Sequence, residues 1–166
     1  MKHPQVILLL ALAGIAGAQT VQSPERAPGY APLENFVGSW TTQGRESQFK
    51  EACNWYYGNF HVVCNSETRR ADGSTGHGMS ILSYVPESGY VYSGIGSRGR
   101  YETFEKGIWS DGKFIFDSSR SDAGKPVTDR ITIGPFSDEG FLFVVTTSSD
   151  GATWTEVDRT TYIRLR

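Results

Sequence analysis

The chain reads as an all-β protein, an antiparallel meander of about ten strands closed into a barrel. Three observations carry that reading. Runs of apolar and polar residues alternate with period two over most of the chain. Turn signals recur between them, at Gly58-Asn59, Asp72-Gly73, Pro86 to Gly89, Asp111-Gly112, Ala123 to Pro126, Ser137 to Gly140 and Asp150-Gly151. After Glu34 no apolar stripe has helical spacing. Short loops between consecutive strands favour a barrel over a two-sheet sandwich, because Greek-key sandwiches need longer crossings and a long meander must hide its edges. A barrel of this strand count can enclose a small ligand.

Residues 1–18 have the layout of a secretory signal peptide. Lys2 and His3 precede the apolar run Val6 to Ala13, and Ala16-Gly17-Ala18 supplies a small-residue cleavage site before Gln19. The run is short for a membrane span. Residues 19–32 hold three prolines and no apolar period, as a flexible arm does. The barrel domain is expected over 33–166, opened by either a one-turn helix at Pro32 to Val37 or a loop. Its strands are expected at Ser39 to Gln43, Gln48 to Tyr57, Phe60 to Arg69, Gly78 to Val85 and Tyr90 to Ile95. The second half continues with Tyr101 to Ser110, Phe114 to Ser119, Thr128 to Ile133, Phe141 to Thr147 and Trp154 to Leu165.

Charge narrows the partners. Removing the signal takes away Lys2, leaving 15 of the 16 Lys plus Arg against 18 Asp plus Glu, with no block of one sign. Nucleic acid and anionic membranes both want a concentrated basic face, so neither is an expected partner. The charge says nothing of oligomeric state.

The two cysteines, Cys53 and Cys64, flank Gly58-Asn59 symmetrically in CNWYYGNFHVVC. A two-residue turn there gives partners whose numbers sum to 117, so Cys53 faces Cys64 and Tyr57 faces Phe60. Counted outward from that closing pair, the cysteines occupy a hydrogen-bonded position with Cα atoms about 5.5 Å apart, within disulfide range. Export supplies the oxidising compartment that a bridge needs. Cys53, Trp55, Tyr57, Phe60, Val62 and Cys64 then share the core face.

The remaining motifs exclude more than they propose. With a turn centred on Asp72-Gly73, His61 faces Tyr84, about 23 Å along the strand from His77 at ~3.3 Å per residue. The two histidines then share no metal, and neither a metal nor any cofactor is expected. GIGSRG at 94–99 matches a dinucleotide fingerprint by letters alone, because strands flank it on both sides where a helix must follow. Its glycines read as a bend at a barrel corner. No serine has a motif-level histidine partner, so no catalytic residue is assigned.

Four stretches together resemble the bacterial domain of unknown function 1579 family, over roughly 33–166. They are FVGSW at 36–40, ILSYVPESGYVYSGIGS at 81–97, KGIWSDGKFIFDSSRSDAGKPVTDRITI at 106–133 and the tail DGATWTEVDRTTYIRLR. Ser83-Tyr84-Val85 departs from that family's Gly-Tyr-Asp, and the cysteine pair is not among its signatures. The resemblance implies a lipocalin-like (calycin) barrel and no settled activity. Lipocalin-like barrels place an arginine over the strand-one tryptophan. In the last strand Val157, Arg159, Thr161, Ile163 and Leu165 share a half-apolar face, which points Arg159 inward toward Trp40. Arg159 is expected to stack there, to lie plainly exposed to solvent, or to grip a ligand carboxylate. Arg130 is a weaker candidate of the same kind. Haem is disfavoured, since nitrobindin-type barrels use a late histidine and none follows His77.

The expected function is that of an exported protein binding a small apolar or amphipathic molecule. Trp40, Trp55, Arg130 and Arg159 are the candidate ligand residues. A cofactor-free isomerase, cyclase or hydrolase working at the barrel mouth, and an envelope or interaction protein with a filled barrel, stay open beside it.

Overall fold

A computed structural model describes residues 26–166. The expected signal peptide and the first part of the arm lie outside them. Ten antiparallel strands follow in chain order: β1 Gly38–Thr42, β2 Phe49–Trp55, β3 His61–Arg69, β4 Thr75–Val85, β5 Gly89–Gly96, β6 Tyr101–Ser110, β7 Lys113–Asp122, β8 Lys125–Phe136, β9 Gly140–Ser148 and β10 Thr155–Arg164. Each pairs with its neighbours in sequence, and β1 pairs with β10 to close the barrel. Closure leaves no free sheet edge.

The arm ends earlier than its prolines indicate, in a 3-10 helix at Pro28–Phe36. That helix drives Leu33 and Phe36 into one end of the barrel, where both are buried. Phe36 meets the rings of Phe114 and Phe136 at 5.1 Å and of Phe141 at 5.9 Å. Trp109 and Tyr90 add edges around Phe114 at 4.6 and 4.9 Å. The Tyr90 hydroxyl donates to the Gly29 carbonyl at 2.8 Å, pinning the start of the helix. Aromatic rings therefore plug this half of the barrel, combining large apolar area with edge-to-face and tilted contacts.

Trp40 locks the seam between the first and last strands. It is fully buried, and its Nε1–H donates to the Phe36 carbonyl at 2.7 Å. The guanidinium over its ring, 4.2 Å from the centroid, belongs to Arg164, which sits directly opposite Trp40 across the β1–β10 ladder. Arg164 also donates to the Val37 carbonyl at 3.1 Å. Gly38 makes room for it: a Cβ there would collide with the guanidinium, and its φ of +142° suits glycine alone. The expected partner, Arg159, lies on the opposite face of β10. Its side chain is exposed and grips Glu156 through two hydrogen bonds of 2.9 and 2.7 Å. Apolarity misled the assignment, because Val157 is 58 % exposed while Tyr162 and Arg164 face inward.

The cysteine hairpin keeps its predicted register, with Cys53 opposite Cys64 and Trp55 opposite Val62, and the disulfide is formed. Its turn is longer than expected. Tyr57–Asn59 forms a single 3-10 turn, and the Tyr56 N–H donates to the His61 carbonyl at 2.8 Å. That moves the hydrogen-bonded pairs by one residue, so the cysteines occupy a non-hydrogen-bonded site, where strands approach more closely. Their Cα atoms are 3.9 Å apart. Tyr57 leaves the core face for the turn and is 90 % exposed. Cys53, Val62 and Cys64 remain buried as expected, with Trp55 packed against them. Replacing both cysteines by serine should cost about 2–3 kcal/mol, the entropy of reopening so short a loop. Urea denaturation of the variant against the oxidised wild type measures it; an unchanged midpoint would reject a structural role.

The next hairpin differs by one residue. Arg70 N–H bonds to the Ser74 carbonyl across a three-residue loop, so His61 faces Ser83, not Tyr84. His61 Nδ1 lies 2.7 Å from the Ser83 hydroxyl on the exposed surface. His77 faces Glu67, far along the same ladder.

Candidate functional site

Beyond the aromatic plug the barrel is hollow. A cavity of about 260 Å³ opens toward the loops that join β1 to β2 and β5 to β6. Glycine creates part of the space. Gly78 pairs with Gly96 and Ser80 with Gly94 across β4 and β5, so two adjacent wall strands offer little side-chain bulk. Of the GIGSRG glycines, Gly94 and Gly96 lie within β5 and thin the wall, where a corner bend was expected, and Gly99 takes the positive φ of +78° in the turn to β6.

Glu51 projects into this chamber from β2. It alternates with Phe49 and Cys53 on the inward face, and it lines both the cavity and a recess of about 30 Å³ beneath it. Among the described residues, no hydrogen-bond or ion-pair partner meets its carboxylate. Burial pushes its pKa up to about 7, because a low-dielectric surround penalises the charged form. Tyr92 and Tyr162 line the same space from β5 and β10. Burial pushes the Tyr92 phenol up to about 12, reinforced by the charges of Glu102 and Glu51. Tyr162 is raised by burial and then by Glu51, so both phenols are neutral hydrogen-bonding groups.

The other charges nearby are already matched. Arg100 and Glu102 line the outer part of the cavity and pair with each other at 2.8 Å. The Glu51 carboxylate also lies within 4.8 Å of both cysteine sulfurs. These atom types would suit a metal, but the sulfurs are bonded to each other and offer no thiolate.

None of the four residues expected to hold a ligand lines the chamber. Trp40 belongs to the closed end. Trp55 is half-buried beside it, donating to Glu34 at 2.7 Å with Arg26 4.7 Å over its ring. Arg130 and Arg159 are on the outer surface. Arg130 makes a two-pronged contact with Asp117 at 2.7 and 2.8 Å and lies 4.2 Å over Trp154. The chamber belongs instead to Phe49, Glu51, Ser80, Tyr92, Glu102 and Tyr162. Glu51 was within reach of the sequence: stepping two residues back from Cys53 along the core face lands on it. A carboxylate alternating with aromatic and sulfur side chains is the signal.

Neither a protein-family profile nor a curated protein sequence matches this chain.

Proposed function

We propose that this is an exported protein that binds a small molecule inside the barrel, with the polar end of that molecule against Glu51. The observation that carries the reading is a half-buried carboxylate with no protein partner among the described residues, aimed into a cavity. Such a group costs stability and is rarely kept without a use. A volume of about 260 Å³ suits a compact occupant, roughly eight or nine waters' worth at about 30 Å³ each. Aromatic walls with a few convergent polar groups are the usual make-up of such a site. Export rests on the N-terminal sequence, and the Cys53–Cys64 disulfide is compatible with a periplasmic or extracellular setting. Kinship with the domain of unknown function 1579 family belongs to the same proposal, resting on the order and spacing of four motifs.

A second reading has one observation in its favour. A carboxyl group with a pKa of about 7 is suited to general acid–base catalysis near neutral pH. A cofactor-free enzyme would then use Glu51 to move a proton, with Tyr92 or Tyr162 holding the substrate oxygen.

Native mass spectrometry of protein purified from its own host tests both readings. Binding predicts a small non-covalent mass adduct that Ser80→Phe, which fills the chamber, abolishes while the fold is retained. An adduct recovered unchanged after incubation supports binding; conversion supports catalysis. A bare mass, with no compound from a small-molecule panel raising the melting temperature of wild type above that of Ser80→Phe, would overturn the proposal.

A further inference from the structure

The chemistry of the chamber restricts what it can hold, given that it is a ligand site at all. Its acceptors outnumber its free cations. Glu51 is unpartnered, Glu102 already occupies Arg100, and Asp158 adds negative charge near Tyr162 from β10. Arg45, in the loop between β1 and β2, bears on Tyr162 and is exposed at the mouth. Ser80 on β4 and Tyr92 on β5 contribute neutral hydroxyls, and the disulfide closes the β2–β3 side. No described basic side chain reaches the Glu51 carboxylate. Apart from the glycines of β4 and β5, the inner wall carries aromatic rings: Phe49 meets Tyr162 edge-on at 5.8 Å, and Tyr92 lines the same space.

We propose that the occupant is a compact organic cation, its ammonium group set against the Glu51 carboxylate and its apolar body among Phe49, Tyr92 and Tyr162. The cation supplies the counter-charge that the barrel withholds. In a half-buried site that pairing is stronger than in open water, and aromatic rings add cation–π attraction. A carboxylate ligand would meet two acidic groups and repulsion. A neutral alcohol can accept from the protonated Glu51 or donate to the ionised one, so it keeps a hydrogen bond in either state and gains no charge pairing.

The three classes differ in the sign of their pH dependence. A cation binds only the ionised form of Glu51, so its affinity rises with pH. With half-ionisation at about pH 7, affinity should increase by about tenfold from pH 6 to pH 8. Near pH 6 binding should release close to one proton per ligand.

Isothermal titration with benzylammonium, benzyl alcohol and benzoate, three probes of one shape and different charge, reads this out. Benzylammonium stays protonated across that range. The expected result is binding of benzylammonium, about tenfold tighter at pH 8, with proton release detected as a dependence of the heat on buffer. In Glu51→Gln both the preference and the pH dependence should vanish. The wild-type pH profile stands by itself should that variant fold poorly. Binding of benzyl alcohol or benzoate with equal or greater affinity, or a profile falling with pH, would overturn the cation while leaving the chamber a ligand site. No binding by any probe, together with a bare native mass, would remove both.

Discussion

Trp40→Ala should destabilise the barrel by about 3–5 kcal/mol, the range for deleting a large, fully buried aromatic side chain. The loss has three parts. The indole is wholly inaccessible and packs on Phe141 at 5.0 Å, so its removal opens a cavity that rigid neighbouring rings cannot refill. The Phe36 carbonyl loses the donor it meets at 2.7 Å, just where the helix enters the barrel. Arg164 loses the ring beneath its guanidinium, and with it much of the reason to stay over the seam. These contacts join the 3-10 helix and β1, neighbours in sequence, to β10 at the far end of the chain. The β1–β10 ladder is also the one that closes the barrel, and it is short, with three paired residues. Thermal or urea unfolding followed by near-ultraviolet circular dichroism measures the effect. Trp154→Ala, which removes a ring from the outer surface, is the control and should cost under about 1 kcal/mol. Equal losses from the two variants would mean that the seam is not anchored at Trp40.

Glu51→Gln should act in the opposite direction. The glutamate has a pKa of about 7 when folded, against an ordinary value of 4.5. Its folded form holds its proton more tightly than the unfolded chain does. Stability is therefore full below about pH 4.5, falls as pH rises toward 7, and is flat beyond it. Glutamine keeps the shape and removes the ionisation. Below pH 4.5 the variant should match the wild type; at pH 8 it should be more stable by up to about 3 kcal/mol. The chamber opens to solvent, which makes that figure an upper bound. Acids with lowered pKa values, such as Asp129 beside Arg120, impose the reverse slope at low pH. They are common to both proteins and cancel in the difference. Chemical denaturation of both, from pH 4 to pH 8, gives the curve. A difference that does not grow with pH would place Glu51 in contact with water or with a counter-charge. A gain in stability coupled to loss of ligand is the trade expected of a residue kept for function.

Much of this architecture is visible in the order of residues, because it depends on local chemistry. Turn residues demand particular backbone angles, and alternation of side chains marks a strand wherever it occurs. Ten strands, their sequence-order pairing and the Cys53–Cys64 bridge follow from those rules. The lipocalin-like resemblance offered an arginine over Trp40 as one use for Arg159, and the residue over that ring is Arg164. Side-chain period on a strand is two, so one error of parity moves every residue to the other face. In β10 the error arose because the inward residues, Tyr162 and Arg164, are more polar than the outward Val157, Thr161 and Ile163. The hydrophobic rule is weakest where the interior is hollow and carries polar groups.

The same reason explains what only the closed barrel decided. Whether Gly78, Gly94 and Gly96 bend a wall or thin it depends on which strands stand beside them. Whether Glu51 is solvated or stranded depends on the strands that surround it, from its hairpin partner β3 to β10 at the far end of the chain. A turn one residue longer, at Ala71 to Gly73, gave His61 a different partner without disturbing the hairpin around it. Local pattern determined the strands and the bridge. Burial, dielectric and the pairing of charge are sums over the whole enclosure, and they alone made a site of Glu51.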